Sequence, residues 1–215
     1  MGNVQGMSLA RTERTQLADL LVELGPEQPT LCEGWDTGDL LAHLLIRERR
    51  PDAVPGAFLS FAKPWTDKVA AGYLEQPWPE LVELYRAGPP AWNPTRIPKV
   101  DAMTNSAEMF IHHEDARRGQ PDWQPRELDP QDTAALTAMV DSAVVKVAVR
   151  KVGVGLDAEL PDGSRIQLRD GEPLAVVAGA PGEILLWSSG RSACRVELSG
   201  DDAAVAAVRA AGFSG

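Results

Sequence analysis

Cysteine is scarce in this chain. Cys32 and Cys194 are the only two, they lie far apart, and neither sits in a CxxC pair. That excludes a disulfide framework. The expectation is two half-buried structural thiols and a cytoplasmic, reducing setting. Long apolar runs are also missing. None approaches the roughly 20 residues a membrane helix needs, so no membrane partner is expected. The stretch before Met7 is short and polar, without a signal-peptide apolar core. Met7, opening MSLARTER, reads as the natural start, and the six residues before it as an extension. Basic residues are outnumbered, with 21 Lys and Arg against 31 Asp and Glu. A net charge of −10 excludes the basic surface that phosphates require, so no nucleic-acid partner is expected. Acidity of this kind implies solubility. Histidine is nearly as scarce as cysteine, with three in 215 residues.

What is present is an ordinary globular composition, 44% apolar and 24% charged. It is long enough for one large domain or a medium domain plus a small one. Leucines at 9, 17, 20, 21 and 24 form a helical stripe, stopped by Gly25-Pro26. After the loop Glu27–Trp35, Asp36 is a good N-cap for a helix from Thr37 to Arg50, ended by Pro51. That helix carries Leu40, Leu41, Leu44 and Leu45, with His43 among them. Helical pieces are expected over Phe58–Glu75, interrupted by Pro64, and over Pro79–Ala87. Gly88–Val100 reads as a loop, and Asn105–Arg118 as a helix. Asp129-Pro130 opens a long helix to about Val149. Beyond it the period changes to that of strands. Gly153–Glu159 and Arg165–Arg169 form a hairpin about Pro161-Asp162-Gly163, and Pro173–Ala178 is a third strand. A short helix Pro181–Ser189, a strand Ala193–Leu198 and a closing helix Asp201–Ala211 complete the chain. The fold class is therefore α+β, with a helical domain over 7–150 and a small α+β domain over 151–215.

The histidines are not scattered evenly. His112 and His113 share one helix, and His43 is the only histidine outside it. At about 100° per residue, Glu108, His112 and Asp115 fall at roughly 0°, 40° and −20° on the helix, whereas His113 falls at about 140°. Glu108 and His112 have the i, i+4 spacing that lets two side chains grip one ion. Zinc-type ions take imidazole nitrogen and carboxylate oxygen, and catalytic sites keep one position open. A third ligand must come from another helix, and inward-facing ligands on neighbouring helices are a standard way to build a site in a bundle. Asp115 and Asp39 are candidates to orient the imidazoles, Asp39 because it precedes His43 by four residues. Spacing alone leaves a bland alternative open. His43 can be a satisfied core histidine, and the Glu-His-Asp stripe a solvated helix face.

Residues 30–44 carry a further signal. Cys32, Gly34 and Trp35 followed by Asp39, Ala42, His43 and Leu44 resemble the C-x-G-W and D-x-x-A-H-L segments of the mycothiol-dependent maleylpyruvate isomerase-like proteins. These belong to the DinB-like metal-binding four-helix superfamily. Glu108, His112 and Asp115 are similar to its second signature, E-x-x-x-H-x-x-D. The segment Leu185-Leu186-Trp187 through Gly190-Arg191 resembles the family's small C-terminal domain, which is sterol-carrier-like. The doubled histidine of Ile111-His112-His113 resembles an actinobacterial subgroup named as metal-binding proteins.

The resemblance implies a DinB-like four-helix bundle followed by a small α+β domain. It also implies a divalent ion on His43, Glu108 and His112. Zinc suits that set best, and iron, nickel or manganese also fit it. The activity implied is that of a thiol-dependent transferase or isomerase, joining mycothiol or a similar small thiol to a small electrophile. A non-catalytic metal- or ligand-binding module and a metal-dependent hydrolase are the alternatives. Arg191 is a candidate for binding the cofactor's carboxylate, or a helix-end arginine complementing the dipole. Arg117 and Arg118 are read in that second way, Cys32 as structural, and Trp35 as a packing anchor. A monomer or homodimer is expected.

Overall fold

The computed structural model describes residues 8–214, so the reading of Met7 as the start lies outside the described residues. Two compact units make up the chain, one ending at Trp123 and the other beginning at Gln124.

The described residues of the first unit form five α-helices: α1 (Leu9–Leu24), α2 (Thr37–Arg49), α3 (Lys63–Leu74), α4 (Trp78–Arg86) and α5 (Pro98–Arg118). Gly25, with φ of 76°, closes α1 in a backbone region that a side chain would strain. Asp36 starts α2 through a capping box, its carboxylate accepting from the Asp39 N–H while Asp39 accepts from the Asp36 N–H. The bundle core joins four of the helices: Leu17 and Leu21 of α1, Leu41, Leu44 and Leu45 of α2, Leu81 and Tyr85 of α4, and Met109 of α5. Helix α3 packs to the side, its Val69 against Ile46 and Ala53.

Two prolines act differently from the sequence expectation. Pro64 does not interrupt a helix over Phe58–Glu75; it sits in the first turn of α3, after a short 3-10 turn at Val54–Ala57. Pro98 likewise opens α5, so this helix begins inside the expected loop Gly88–Val100 and runs for 21 residues. In both cases the missing N–H falls where a helix has no partner for one, and the fixed φ of proline suits the first turn.

The second unit contains α6 (Pro130–Val140), α7 (Ala143–Ala148), strands β1 (Gly155–Glu159), β2 (Arg165–Arg169) and β3 (Leu174–Gly179), helix α8 (Pro181–Ser188), strand β4 (Val196–Gly200) and helix α9 (Asp202–Ala210). The sheet order is β2-β1-β3-β4. β1 and β2 form the expected antiparallel hairpin, β3 runs parallel to β1, and β4 is antiparallel to β3. α8 and α9 both pack against β3.

The expected long helix to Val149 is broken. It stops at Val140, and Ser142, in extended conformation, restarts the chain as α7. The expected boundary at 150 also differs from the observed grouping. α6 packs against α8 of the second unit, and α4 fills the fourth place in the bundle. The physical reason is that α6 buries Leu136 and Val140, a stripe that periodicity assigns to a helix but not to a partner. The α+β class, helices first and sheet last, is as expected. No helix among the described residues is long and apolar enough to cross a membrane.

Candidate metal centre

Helix α5 is unusual for a core helix because its buried residues are mostly polar, among them Asp101, Asn105, His112, His113, Glu114, Asp115 and Arg118. Buried polar groups require partners, and here each has one. Asn105 donates to Asp101 at 2.8 Å. The His113 Nδ1 lies 2.6 Å from the Glu13 carboxylate of α1. Arg118 Nε donates to Glu114 at 2.5 Å and lies over the Trp123 ring, 4.4 Å from its centroid.

His112 faces the other way from His113, as the helical wheel requires. Its Nδ1 lies 3.0 Å from Asp115 Oδ2, and its Nε2 lies 3.2 Å from Glu108 Oε2. From α2, the His43 ring approaches edge-on, with ring centroids 5.2 Å apart. One donor atom from each of His43, Glu108 and His112 lies within 4.8 Å of the others. A tetrahedral ion with bonds of about 2.0–2.2 Å holds its ligands about 3.3–3.6 Å apart, so modest side-chain rotation closes this set on one ion. The donor chemistry fits as well. With Nδ1–H donating to Asp115, the Nε2 lone pair of His112 is the one offered to an ion. Glu108 keeps 41% of its side chain exposed and His112 only 9%, so the cluster is walled on one side and open on the other.

Asp115 stands where the sequence expectation put it. Asp39 does not orient His43. Its carboxylate is engaged in the α2 capping box, because a carboxylate in the first helical turn finds the free backbone N–H groups first. The ring beside His43 is instead Trp35, centroids 5.1 Å apart. Arg191 lies in the second unit, after α8, and donates to the Ser189 carbonyl at 3.0 Å.

Two contacts of the cluster escaped the sequence reading. Arg47 NH1 reaches Glu108 Oε2 at 3.1 Å, and the signal for it is its i+4 position after His43. Cys32 donates its thiol proton to Asp115 Oδ2 at 3.2 Å, which no spacing rule connects to α5.

The electrostatics follow from these contacts. Burial, aided by the neighbouring charge of His112, pushes His43 down to about 4. The hydrogen bond from His112 holds Glu108 at about 2, against burial and with help from Arg47. Burial pulls His112 down, but hydrogen bonds with Asp115, Cys32 and Glu108 outweigh it and lift the imidazole to about 10. The ordinary value for both histidines is 6.5. In the metal-free protein, His112 therefore adds stability that is complete below pH 6.5 and lost as pH rises towards 10. His43 acts oppositely, its neutral form losing stability as pH falls from 6.5 towards 4. Between these limits the pair carries one proton. Uptake of a divalent ion is expected to release about one proton per chain, with affinity rising about tenfold per pH unit. Calorimetry in buffers of different ionisation enthalpy checks this. Release of two protons means that His43 is also charged, and release of none means that His112 is neutral.

A pocket of about 470 Å³ opens beside the cluster, lined by His43 and Glu108. That volume is within the range of small-molecule sites. Trp35, Ile46, Val54, Phe58 and Ala70 supply apolar wall, and the charged part of the lining is Arg47 paired with Glu108, Lys63 paired with Asp67, and Asp39.

Among solved structures, the chain is similar to the mycothiol-dependent maleylpyruvate isomerase, at 18% identity over 90% of this chain and 91% of that one, with a TM-score of 0.54. A histidine-to-alanine mutant of that enzyme matches over the same shares, at 18% identity and a TM-score of 0.50. The chain shares that isomerase fold. No protein-family model matches the chain, and no curated protein does.

Proposed function

We propose that this chain is a metal- and thiol-dependent enzyme, an isomerase or transferase acting on a small electrophile. His43, Glu108 and His112 hold one divalent ion, zinc by preference, and a low-molecular-weight thiol of the mycothiol type is the co-substrate. The observation that carries the reading is the convergence of those three donor groups beside an open pocket. It is supported by a fold shared with an enzyme whose name states mycothiol dependence.

What an ion supplies at such a site is a lowered thiol pKa, because the thiolate is the reactive form. A drop of about two units needs only about 2.7 kcal/mol. The chain supplies the rest. His43, kept neutral by burial, offers a nitrogen lone pair, and His112, held by Asp115 through Nδ1, offers its Nε2 lone pair once its extra proton has left. The apolar wall of Trp35, Val54 and Phe58 limits water around the reacting sulfur.

The test is conversion of a panel of small electrophiles by the zinc-loaded protein, with and without mycothiol or a related thiol. Conversion should require both thiol and metal, stop on chelation and return with zinc. A thiol recovered unchanged identifies an isomerase, and a thiol consumed identifies a transferase. Hydrolysis without thiol, or ion binding with no conversion at all, overturns the reading.

A further inference from the structure

The loop between α1 and α2 touches both histidines from outside. Trp35 lies against His43, and three residues earlier Cys32 meets Asp115. Asp115 is fully buried, and a buried carboxylate is costly unless hydrogen-bonded. Two donors converge on the same oxygen, Oδ2: the Cys32 thiol at 3.2 Å and His112 Nδ1 at 3.0 Å. The loop cannot easily retreat from this contact. The Leu31 N–H donates to the Asp115 carbonyl at 3.0 Å, the Gln120 side-chain amide donates to the Pro29 carbonyl at 2.9 Å, and the Cys32 N–H donates to Thr30 Oγ1.

From this geometry we infer that Cys32 is a positioning residue for the metal centre: its thiol hydrogen bond fixes the Asp115 carboxylate, and through it the ring of His112. The inference rests on the metal-centre reading above and adds to it a residue that makes no contact with the ion. With the thiol removed, Asp115 Oδ2 loses one of the two donors that converge on it, and the carboxylate holds the His112 ring less tightly. Partners of this outer kind change metal affinity by about 10–100-fold. A serine at 32 keeps an O–H donor, whereas alanine and valine keep none.

The experiment compares the full chain with Cys32→Ser, Cys32→Ala and Cys32→Val. Zinc affinity is read by competition with a chromogenic chelator, and thermal melting of the metal-free proteins reports folding. Cys32→Ala should weaken zinc binding about 10-fold, and Cys32→Ser should restore it to within about threefold. In nitrogen-15 spectra of the metal-free protein, the His112 Nδ1–H resonance should persist in the serine variant and broaden or vanish in the alanine variant. Should alanine prevent folding, the near-isosteric Cys32→Val makes the same comparison with serine. Equal affinities for alanine and wild type overturn the inference while leaving the metal centre intact. Serine as weak as alanine also overturns it, and points to the sulfur as a direct ligand together with His112 and Asp115, whose donor atoms lie within 4.8 Å of it. A wild-type chain that binds no zinc overturns both readings.

Discussion

His112→Ala is expected to abolish binding of a divalent ion, with a loss greater than the roughly 100-fold at the upper end of outer-shell changes. His113→Ala, one residue away, should leave affinity within a few-fold. The difference follows from where the rings point. His112 turns Nε2 towards Glu108 and Nδ1 towards Asp115. His113 spends its ring on Glu13 across the α1–α5 contact, with both side chains almost fully buried. Its loss should appear as lowered stability, by about 3 kcal/mol, because Glu13 then loses its buried imidazole partner. His43→Ala should cost at least as much affinity as Glu108→Ala. Metal titration of the four variants checks the set, with urea unfolding of the metal-free proteins alongside. Equal losses at 112 and 113 would refute the assignment of faces on α5.

The largest stability effect is expected deep in the bundle. Arg14 of α1 meets Glu48 of α2 at 2.5 Å, both almost inaccessible to water. Burial is the largest influence on Glu48 and raises its carboxyl above the ordinary range despite the arginine. The pair therefore compensates an expense of burial more than it adds stability. Arg14→Met should destabilise the protein by about 3–5 kcal/mol, since it leaves Glu48 charged and unmatched. Combining it with Glu48→Leu should recover most of that loss, as apolar replacements of whole buried pairs often do. Recovery should be incomplete, because Arg14 also lies 3.9 Å from Asp101 and donates to the Tyr85 carbonyl. Urea unfolding of both single variants and the double variant closes the cycle. A single Arg14→Met within about 1 kcal/mol of wild type would show that Glu48 simply takes up a proton.

The leucine stripes of α1 and α2 were legible because each helix has one apolar face and a marked start or stop. The face of α5 bearing Glu108, His112 and Asp115 was legible for another reason: helix geometry sorts residues even when hydrophobicity does not. The first turns of α5 were not legible. This helix buries polar residues on several sides, so no apolar period marks it, and Pro98 resembles a breaker as much as a starter. The contacts of Arg47 and Cys32 were missed because their partners are remote in sequence. Only the packing of α2 and of the 29–36 loop on α5 brings them to Glu108 and Asp115. The partner of α6 was hidden by the same cause, since a stripe says that a surface is covered and not by what.

Gly119 follows α5 so closely against the loop that a Cβ there would run into the Pro29 carbonyl and Thr30 Cα. Together with the Leu31–Asp115 backbone bond, this close approach has a kinetic meaning. The loop can take its final shape only after the chain has been made and folded through residue 119. During synthesis the histidine of α2 emerges before Glu108 and His112, which lie more than 60 residues further along the chain. The donor cluster thus requires α5, which carries both Glu108 and His112, and a fragment ending before α5 would carry His43 with no site around it.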